Sequence, residues 1–253
     1  MELILSPSNT QLSLDLDSIN GRPTNNWTIT EKNNSPIKFI THSFRAAHIA
    51  CRNGWLPGAR YSNLRDVRKF DRLGFLDIDW KRYDFRRHLE AAKSTRPFMT
   101  VARDIEDINA IDEILDQASE LEEYAEHVII VPKDCRLRNL IDVLIPERFI
   151  LGFSVPTRYG STTLPFHSFN RPVHLLGGRP DVQRKLAKLL NIFSFDCNRF
   201  TLDAEFGDYF DGRVFKPHPI GGYETCLEES IRKINDLWIG YSWAPRSFEY
   251  AQC

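Results

Sequence analysis

The sequence predicts an α/β fold built as one TIM-type (β/α)8 barrel, with room for irregularities in it. Short apolar runs alternate with helix-like segments from residue 38 onward, and such repeated alternation implies parallel strands joined by crossover helices. The chain has 253 residues, close to the ~250 residues typical of this barrel. Seven or eight strand–helix units in that length favour a closed barrel over an open doubly wound sheet.

The apolar runs define the expected strands, and the segments between them the expected helices. The strands are predicted at 38–42, 75–78, 97–102, 127–131, 149–155, 172–176, 192–195 and 213–215. The helices are predicted at 44–53, 85–93, 105–125, 180–190 and 224–238. The helical pattern is strongest in the third, where the apolar residues of one face are Ile111, Ile114, Leu115, Ala118 and Leu121.

The chain is expected to form an N-terminal extension, residues 1–35, and a single barrel domain, residues 36–253. The extension is polar and turn-rich, and the alternation at 12–16 predicts a hairpin. The N-terminus lacks a basic segment followed by a long apolar one, and every apolar stretch is too short to span a bilayer. These features predict a cytoplasmic protein with no membrane partner.

Cysteine spacing predicts free thiols. The five cysteines are scattered, with no CxxC or CxC pair, so they support neither a disulfide framework nor a Cys-rich zinc site. The histidines show no metal-ligand spacing, and GxGxxG, P-loop, HExxH and GxSxG patterns are absent. We therefore expect no metal and no cofactor.

Charge is balanced overall but unevenly distributed. The chain carries 33 Lys and Arg against 34 Asp and Glu, which argues against indiscriminate polyanion binding. However, residues 45–96 hold 13 basic side chains against 6 acidic ones, whereas residues 104–126 hold 10 acidic side chains and no Lys or Arg. The basic stretch is compatible with local contact to a phosphate backbone. Solvated helix faces are the alternative interpretation, above all for the acidic stretch.

Polar residues follow the apolar runs, where a parallel barrel places its chemistry. They are Asp77, Asp79, Asp104, Lys133, Asp134, Ser154, Gly177, Gly178 and Asp196. A single Asp at such a position is ordinarily a helix N-cap, and Asp104 and Asp134 fit that role. Asp196 lies between Phe195 and Cys197 and is harder to explain as a cap. The Gly177–Gly178 pair suits either a plain turn or close approach of a phosphate or planar base.

The order of these strand ends resembles that of the tRNA-guanine transglycosylase superfamily. The segment 173–178, a helix and then Phe195-Asp196-Cys197 are similar to the last two strands of that family, which end in a Phe-Asp-Cys motif. Residues 151–155 look like its Gly-Leu-Ser-Val segment, which lines the base pocket. The resemblance covers residues 75–207 and is closer after Gly152.

The resemblance implies a role for each matching residue. Asp196 matches the position of the family's nucleophile. Asp77 matches the second catalytic Asp, a general acid/base, and Asp79 is the alternative candidate for that role. Asp104 falls on the carboxylate that recognises the base, and Lys133 on a base-contacting Gln. The remaining candidates are Gly152, Gly177 and Gly178, which would let the flat base pack against backbone, and Arg199 and Arg158 as nucleic-acid contacts.

Departures from the tRNA enzymes favour another branch of the superfamily. Thr201 and Gly207 align after the nucleophile, but Leu202 and Glu205 occupy the positions of two arginines. The C-terminal zinc module is also missing. The sequence resembles more closely the short DNA-guanine transglycosylases of phages and bacteria. These are pentosyltransferases that exchange guanine for a 7-deazaguanine base through a covalent Asp–glycosyl intermediate.

This resemblance implies DNA as the partner, with tRNA as the alternative, and preQ0 or preQ1 as the incoming base. It implies no cofactor, leaves an oligomer open, and places a phage-encoded enzyme in the host cytoplasm. Two other functions remain open. One is a barrel enzyme acting on a nucleotide or phosphorylated sugar, with Gly177–Gly178 as phosphate cradle and Asp196 as acid/base. The other is a non-catalytic nucleic-acid-binding barrel.

Overall fold

The computed structural model describes residues 34–157 and 160–244. Its barrel strands are β1 Ile37–Thr41, β2 Leu56–Arg60, β3 Phe75–Asp77, β4 Met99–Val101, β5 His127–Ile130, β6 Ile150–Ser154, β7 Val173–Leu176 and β8 Ile192–Asp196. All are parallel to their neighbours in chain order, and β8 pairs with β1 to close the barrel. The predicted single barrel is confirmed. The hairpin expected at 12–16 lies outside the described residues.

Helices cover the outside of the barrel unevenly. They are α1 Phe44–Cys51, α2 Phe85–Thr95, α3 Ile111–Glu122, α4 Ile141–Leu144, α5 Pro180–Leu186, α6 Arg199–Glu205 and α7 Tyr223–Leu237. Short 3-10 turns, Arg65–Val67 and Phe166–Ser168, replace a helix after β2 and after β6. An antiparallel pair, β9 Asp208–Phe210 and β10 Phe215–Pro217, follows α6 outside the barrel.

The barrel strand that the sequence analysis did not predict is β2. The prediction of a strand of the main fold at 213–215 was wrong, because Phe215 belongs to β10, outside the barrel. The sequence of β2 contains Pro57 and Gly58, both unfavourable in a strand, so local propensity conceals it. Tertiary packing explains both residues. The Pro57 carbonyl accepts a hydrogen bond from Gly74 N–H at 2.8 Å. A Cβ on Gly58 would lie 2.5 Å from Thr41 Oγ1, so only glycine fits between the strands.

The third helix begins later than predicted because the chain before it extends the sheet. Ile105 forms a parallel bridge with Pro132, and its carbonyl accepts hydrogen bonds from the N–H groups of Lys133 and Asp134. Asp134 accepts backbone hydrogen bonds from Ile108 and Arg136 and is the cap that the sequence predicts. Asp104 caps no helix, so that prediction was wrong.

The core has two layers, one inside the barrel and one between strands and helices. Phe39, Phe75 and His174 pack together in the interior, with ring centroids 5.2–5.9 Å apart. Outside, α3 buries Ile111, Ile114, Ala118 and Leu121 as its periodicity predicts, and Leu115 is half-buried. Within the described ranges, no helix combines the length and the apolar character needed to cross a bilayer.

Candidate active site

The carboxyl ends of the strands bring the predicted carboxylates to one mouth of the barrel. Asp77 is the last residue of β3, and Asp196 is the last residue of β8. Asp77 lies two residues after Phe75, so strand alternation turns both side chains into the barrel. Asp104 and Lys133 follow β4 and β5 at the same end. The structure therefore places these four side chains around one mouth.

Asp196 is held by its neighbours on one carboxylate oxygen. Its Oδ1 accepts a hydrogen bond from Gly177 N–H at 2.8 Å and lies 3.5 Å from His174 Nε2. Its side chain is 11% exposed. Among the described residues, Oδ2 has no hydrogen-bond partner. Asp196 is thus oriented by one oxygen and keeps the other for a ligand.

Asp77 has the most informative protonation behaviour of the site. Burial, and then the negative charge of Asp196, raise its pKa to about 7, although Ile78 N–H and the Arg60 guanidinium oppose the shift. Arg60 Nε lies 3.8 Å from Oδ2, and the Asp77 side chain remains 26% exposed. A carboxyl group that titrates near neutral pH can both donate and accept a proton.

Asp104 and Lys133 form an ion pair across the ends of β4 and β5. The Lys133 Nζ lies 2.5 Å from Asp104 Oδ2, with side chains 24% and 19% exposed. Burial raises the pKa of Asp104, and the Lys133 ammonium opposes that shift. Lys133 therefore favours the ionised form of Asp104, which is the form that accepts hydrogen bonds from a ligand.

We expect the ion pair to be measurable as a coupling between the two residues. Asp104→Asn and Lys133→Met, alone and together, should give a coupling free energy of about 1–3 kcal/mol, because each single change leaves a mostly buried partner unpaired. Urea denaturation of the four proteins measures this value. Strict additivity of the two substitutions would contradict the pairing.

The glycines at the mouth differ in the space beside them. Gly177 and Gly178 have φ of +61° and +92°, which only glycine adopts readily. A Cβ on Gly178 would lie 2.3 Å from Val155 Cγ1, and one on Gly152 would lie 2.7 Å from Ile129 and Val131. The space beside Gly177 is open. Packing alone therefore accounts for Gly152 and Gly178, whereas the space where a side chain of residue 177 would lie is open.

The remaining predicted residues lie at the edges of the site. Asp79 caps a turn, with Oδ1 accepting a hydrogen bond from Lys81 N–H at 3.3 Å. Arg199 is 48% exposed and donates to Asp203 Oδ1 at 2.8 Å. Arg158 lies outside the described residues. Arg199 is thus available to solvent, although it already has an acidic neighbour.

The structure adds three residues that sequence reasoning missed. Arg60 is the last residue of β2, so it was missed together with that strand. His174 is fully buried inside the barrel, and its Nδ1 shares a 2.8 Å hydrogen bond with Ser194 Oγ. A polar residue in the middle of a buried apolar run was the available signal. Gln183 Nε2 donates at 2.8 Å to the carbonyls of both Gly177 and Asp196, joining the ends of β7 and β8.

Loss of the Gln183 amide is expected to destabilise the protein. Gln183→Met should lower the free energy of unfolding by about 2–4 kcal/mol, because two largely buried carbonyls lose their donor while size and helix propensity stay similar. Thermal or urea denaturation measures the effect. Gln117→Met, at a half-buried position of α3 where the amide N–H donates to Glu113, is the matched control and should change stability by at most about 1 kcal/mol. Equal effects of the two substitutions would contradict a linking role for Gln183.

Metal ligation has no support in the described part of the chain. No group of three or more His, Cys, Asp or Glu side chains in that part is placed to hold a metal ion. The four cysteines among these residues are free thiols, and three of them are buried.

The chain matches a protein-family model and is similar to the solved structures of two enzymes. No curated protein matches it. The structure of the YdjI aldolase from Escherichia coli K12 is 11% identical, with a TM-score of 0.49, covering 81% of this chain and 92% of that one. A phosphoribosyl anthranilate isomerase, in complex with reduced 1-(o-carboxyphenylamino)-1-deoxyribulose 5-phosphate, is 15% identical, with a TM-score of 0.36, covering 80% and 99%. The family model described as "Family of unknown function (DUF6610)" matches residues 50–239, so the chain belongs to that family.

Proposed function

We propose that this protein is a base-exchange transglycosylase, which replaces guanine in nucleic acid by a 7-deazaguanine base such as preQ0 or preQ1. DNA is the proposed substrate and tRNA the alternative. The observation that carries the proposal is the carboxylate pair at the barrel mouth. Asp196 presents a free oxygen beside Gly177, and its charge helps to raise the pKa of Asp77 to about 7. Attack at a glycosidic carbon and proton transfer to a base need such a pair.

Each carboxylate has one task in the exchange. Asp196 Oδ2 attacks C1′ while the bond from C1′ to guanine N9 breaks, the bonding electrons pass to N9, and the protonated Asp77 supplies the proton that the leaving base takes up. The product is a glycosyl ester on Asp196. Asp77 then removes a proton from the incoming base, whose nitrogen attacks C1′ and releases Asp196. Overall, one base replaces another and no group is oxidised or reduced.

The ion pair beside β4 and β5 suits recognition of a purine-like base. A guanine edge presents a ring N–H and an exocyclic amine, and an ionised carboxylate accepts both hydrogen bonds. Lys133 favours that ionised form of Asp104. The open backbone at Gly177 gives a flat base room to lie next to Asp196. These contacts support the assignment of Asp104 as the residue that reads the base.

The proposal is tested by following a labelled base into nucleic acid. The full-length chain is incubated with labelled guanine or labelled preQ0 and, in separate reactions, with single-stranded DNA, duplex DNA or tRNA. We expect label to be retained in a DNA substrate after removal of free base. Retention in tRNA alone would replace DNA by tRNA as the substrate. Absence of label from every nucleic acid, with folded protein, would overturn the proposal.

A second candidate is a barrel enzyme acting on a nucleotide or phosphorylated sugar. The observation in its favour is the left-handed Gly177–Gly178 turn, open at Gly177 and followed by the half-exposed Arg179. A glycine turn and an arginine after the seventh strand suit a phosphate group, although Gly177 N–H already donates to Asp196 and Arg179 pairs with Asp181. Conversion of a nucleoside monophosphate or sugar phosphate without incorporation of labelled base would favour this candidate. A covalent adduct trapped on Asp196 would exclude the third possibility, a non-catalytic nucleic-acid-binding barrel.

A further inference from the structure

Four basic side chains lie next to the catalytic mouth on one sector of the barrel. Lys81 and Arg82 belong to the loop between β3 and α2, which begins directly after Asp77, and Arg86 and Arg87 are in the first turn of α2. All four are exposed. We refer to Lys81, Arg82, Arg86 and Arg87 as the basic rim. Residues 60–87, which include it, hold nine Lys and Arg against five Asp.

The basic rim lacks the acidic partners that several other surface cations have. Among the described residues, no carboxylate forms an ion pair with any of its four members. The two acids of this loop are used locally, since Asp79 accepts from Lys81 N–H and Asp84 accepts from Arg87 N–H as the N-cap of α2. By contrast, Arg45 pairs with Glu224, and Arg148 pairs with Glu122. The charge of the rim is therefore available to an external anion.

The rim borders a concave surface. A groove of about 390 Å³ runs between the loop after β2 and helix α2, and it is lined by Tyr61, Leu64, Arg86, Arg87, Glu90, Ala91 and Ser94. The Tyr61 hydroxyl fixes one side of this groove, since it donates to the Arg82 carbonyl and accepts from Asp84 N–H, each at 2.9 Å. Its one acid, Glu90, lies 3.1 Å from Lys93. The two arginines are thus presented on a fixed support.

An exposed aromatic side chain precedes the basic rim in the same loop. Trp80 is 58% exposed, three residues after Asp77, and Lys81 Nζ lies 5.1 Å from its ring centroid. Exposed aromatic rings beside a basic track are the combination that binds unstacked bases of single strands. Duplex DNA keeps its bases stacked and offers no base face to such a ring.

We propose that the basic rim and Trp80 bind single-stranded nucleic acid. The four cations contact successive phosphates, and Trp80 stacks on one base beside the nucleotide at the mouth. The inference rests on the proposed function for the choice of a nucleic acid as partner, and it adds the surface and the strand state. It requires no base exchange, so binding and turnover can be tested separately.

The test measures binding of a labelled single-stranded oligodeoxynucleotide by fluorescence anisotropy at several salt concentrations. Four neutralised phosphates predict a slope of log affinity against log salt of about −3, at roughly −0.7 per phosphate. Arg86→Glu/Arg87→Glu is expected to weaken binding at least ~10-fold at low salt and to reduce the slope to about −1.5. Acidic residues are favourable in the first turn of a helix, so this variant is expected to fold. Circular dichroism checks its folding.

Two further variants separate the proposed surface from general charge effects. Arg232→Glu/Lys233→Glu makes the same charge change on α7, away from the rim, and should leave the slope unchanged. Trp80→Ala should weaken single-strand binding about 10-fold and duplex binding by less than 2-fold, because only an unstacked base can stack on the ring. Equal effects of the two charge reversals, or equal loss of single-strand and duplex binding in Trp80→Ala, would overturn the inference.

Failure of this inference is distinguishable from failure of the proposed function. Salt-dependent binding at the rim without incorporation of labelled base into any nucleic acid would refute the proposed transglycosylase activity but support the proposed binding surface. Incorporation of label at an unchanged rate in Arg86→Glu/Arg87→Glu, at subsaturating oligonucleotide, would support the proposed activity but refute the proposed binding surface. An acidic peptide that binds the rim while the oligonucleotide does not would also overturn the inference.

Discussion

Asp196→Asn is expected to reduce base exchange by roughly 10³- to 10⁶-fold, because the carboxamide cannot form the glycosyl ester that splits the reaction into two displacements. The amide oxygen can still accept the hydrogen bond from Gly177 N–H, so the end of β8 should keep its position. Retention of labelled base in DNA measures the rate. A denaturing gel detects the covalent protein–DNA adduct, which is expected in wild type and absent in the variant.

A matched substitution shows whether the loss is local. Asp116→Asn makes the same chemical change on the exposed side of α3, far from the mouth, and should leave the rate within about 2-fold of wild type. Circular dichroism and thermal denaturation compare the folding of both variants. Exchange at the wild-type rate by folded Asp196→Asn would rule out Asp196 as the nucleophile.

Asp77→Asn is expected to slow exchange by roughly 10²- to 10⁴-fold and to change its pH dependence, because the proton donor is lost. In wild type, the pKa of Asp77 is about 7, so the protonated donor disappears as the pH rises through that value. The wild-type rate should therefore fall above about pH 7, and this descending limb should be absent from the variant. Rate profiles between pH 5 and 9 measure both effects. An unchanged descending limb in Asp77→Asn would assign the titration to another group.

The same substitution, Asp77→Asn, is expected to lower activity but to increase stability at alkaline pH. The pKa of Asp77 is raised from 3.8 to about 7 by folding, so the folded protein binds this proton more tightly than the unfolded chain. The resulting stabilisation is complete below about pH 4 and is lost as the pH rises through about 7. Relative to wild type, Asp77→Asn should therefore gain roughly 3–4 kcal/mol of stability between pH 4 and pH 8. Urea denaturation at the two pH values measures this difference.

Together, these two effects would identify Asp77 as a functional residue whose presence lowers stability. Burying an ionisable carboxyl group near a second one disfavours its charged form, and that cost is retained where the chemistry requires a proton donor near neutral pH. A residue with a purely structural role would show one effect without the other. Loss of activity combined with a gain in stability at pH 8 is therefore the signature expected of Asp77.

Much of the fold followed from local patterns. The alternation of apolar runs with helical periodicity predicted the barrel, and α3 buries the face that its spacing indicates. The one barrel strand that the sequence concealed, β2, contains Pro57 and Gly58, which are tolerated because of contacts with Gly74 and Thr41. Those contacts join residues distant in the chain, and local propensity does not contain them.

The sequence by itself determined which residues reach the mouth, because the carboxyl ends of parallel strands lie at one end of a barrel and Asp77 and Asp196 terminate two such strands. Only the tertiary structure decided what their surroundings are. It set the pKa of Asp77, paired Asp104 with Lys133, filled the space beside Gly152, and placed His174 against Asp196. The physical reason is that strand direction is encoded locally, whereas burial, charge proximity and free space depend on which distant segments meet.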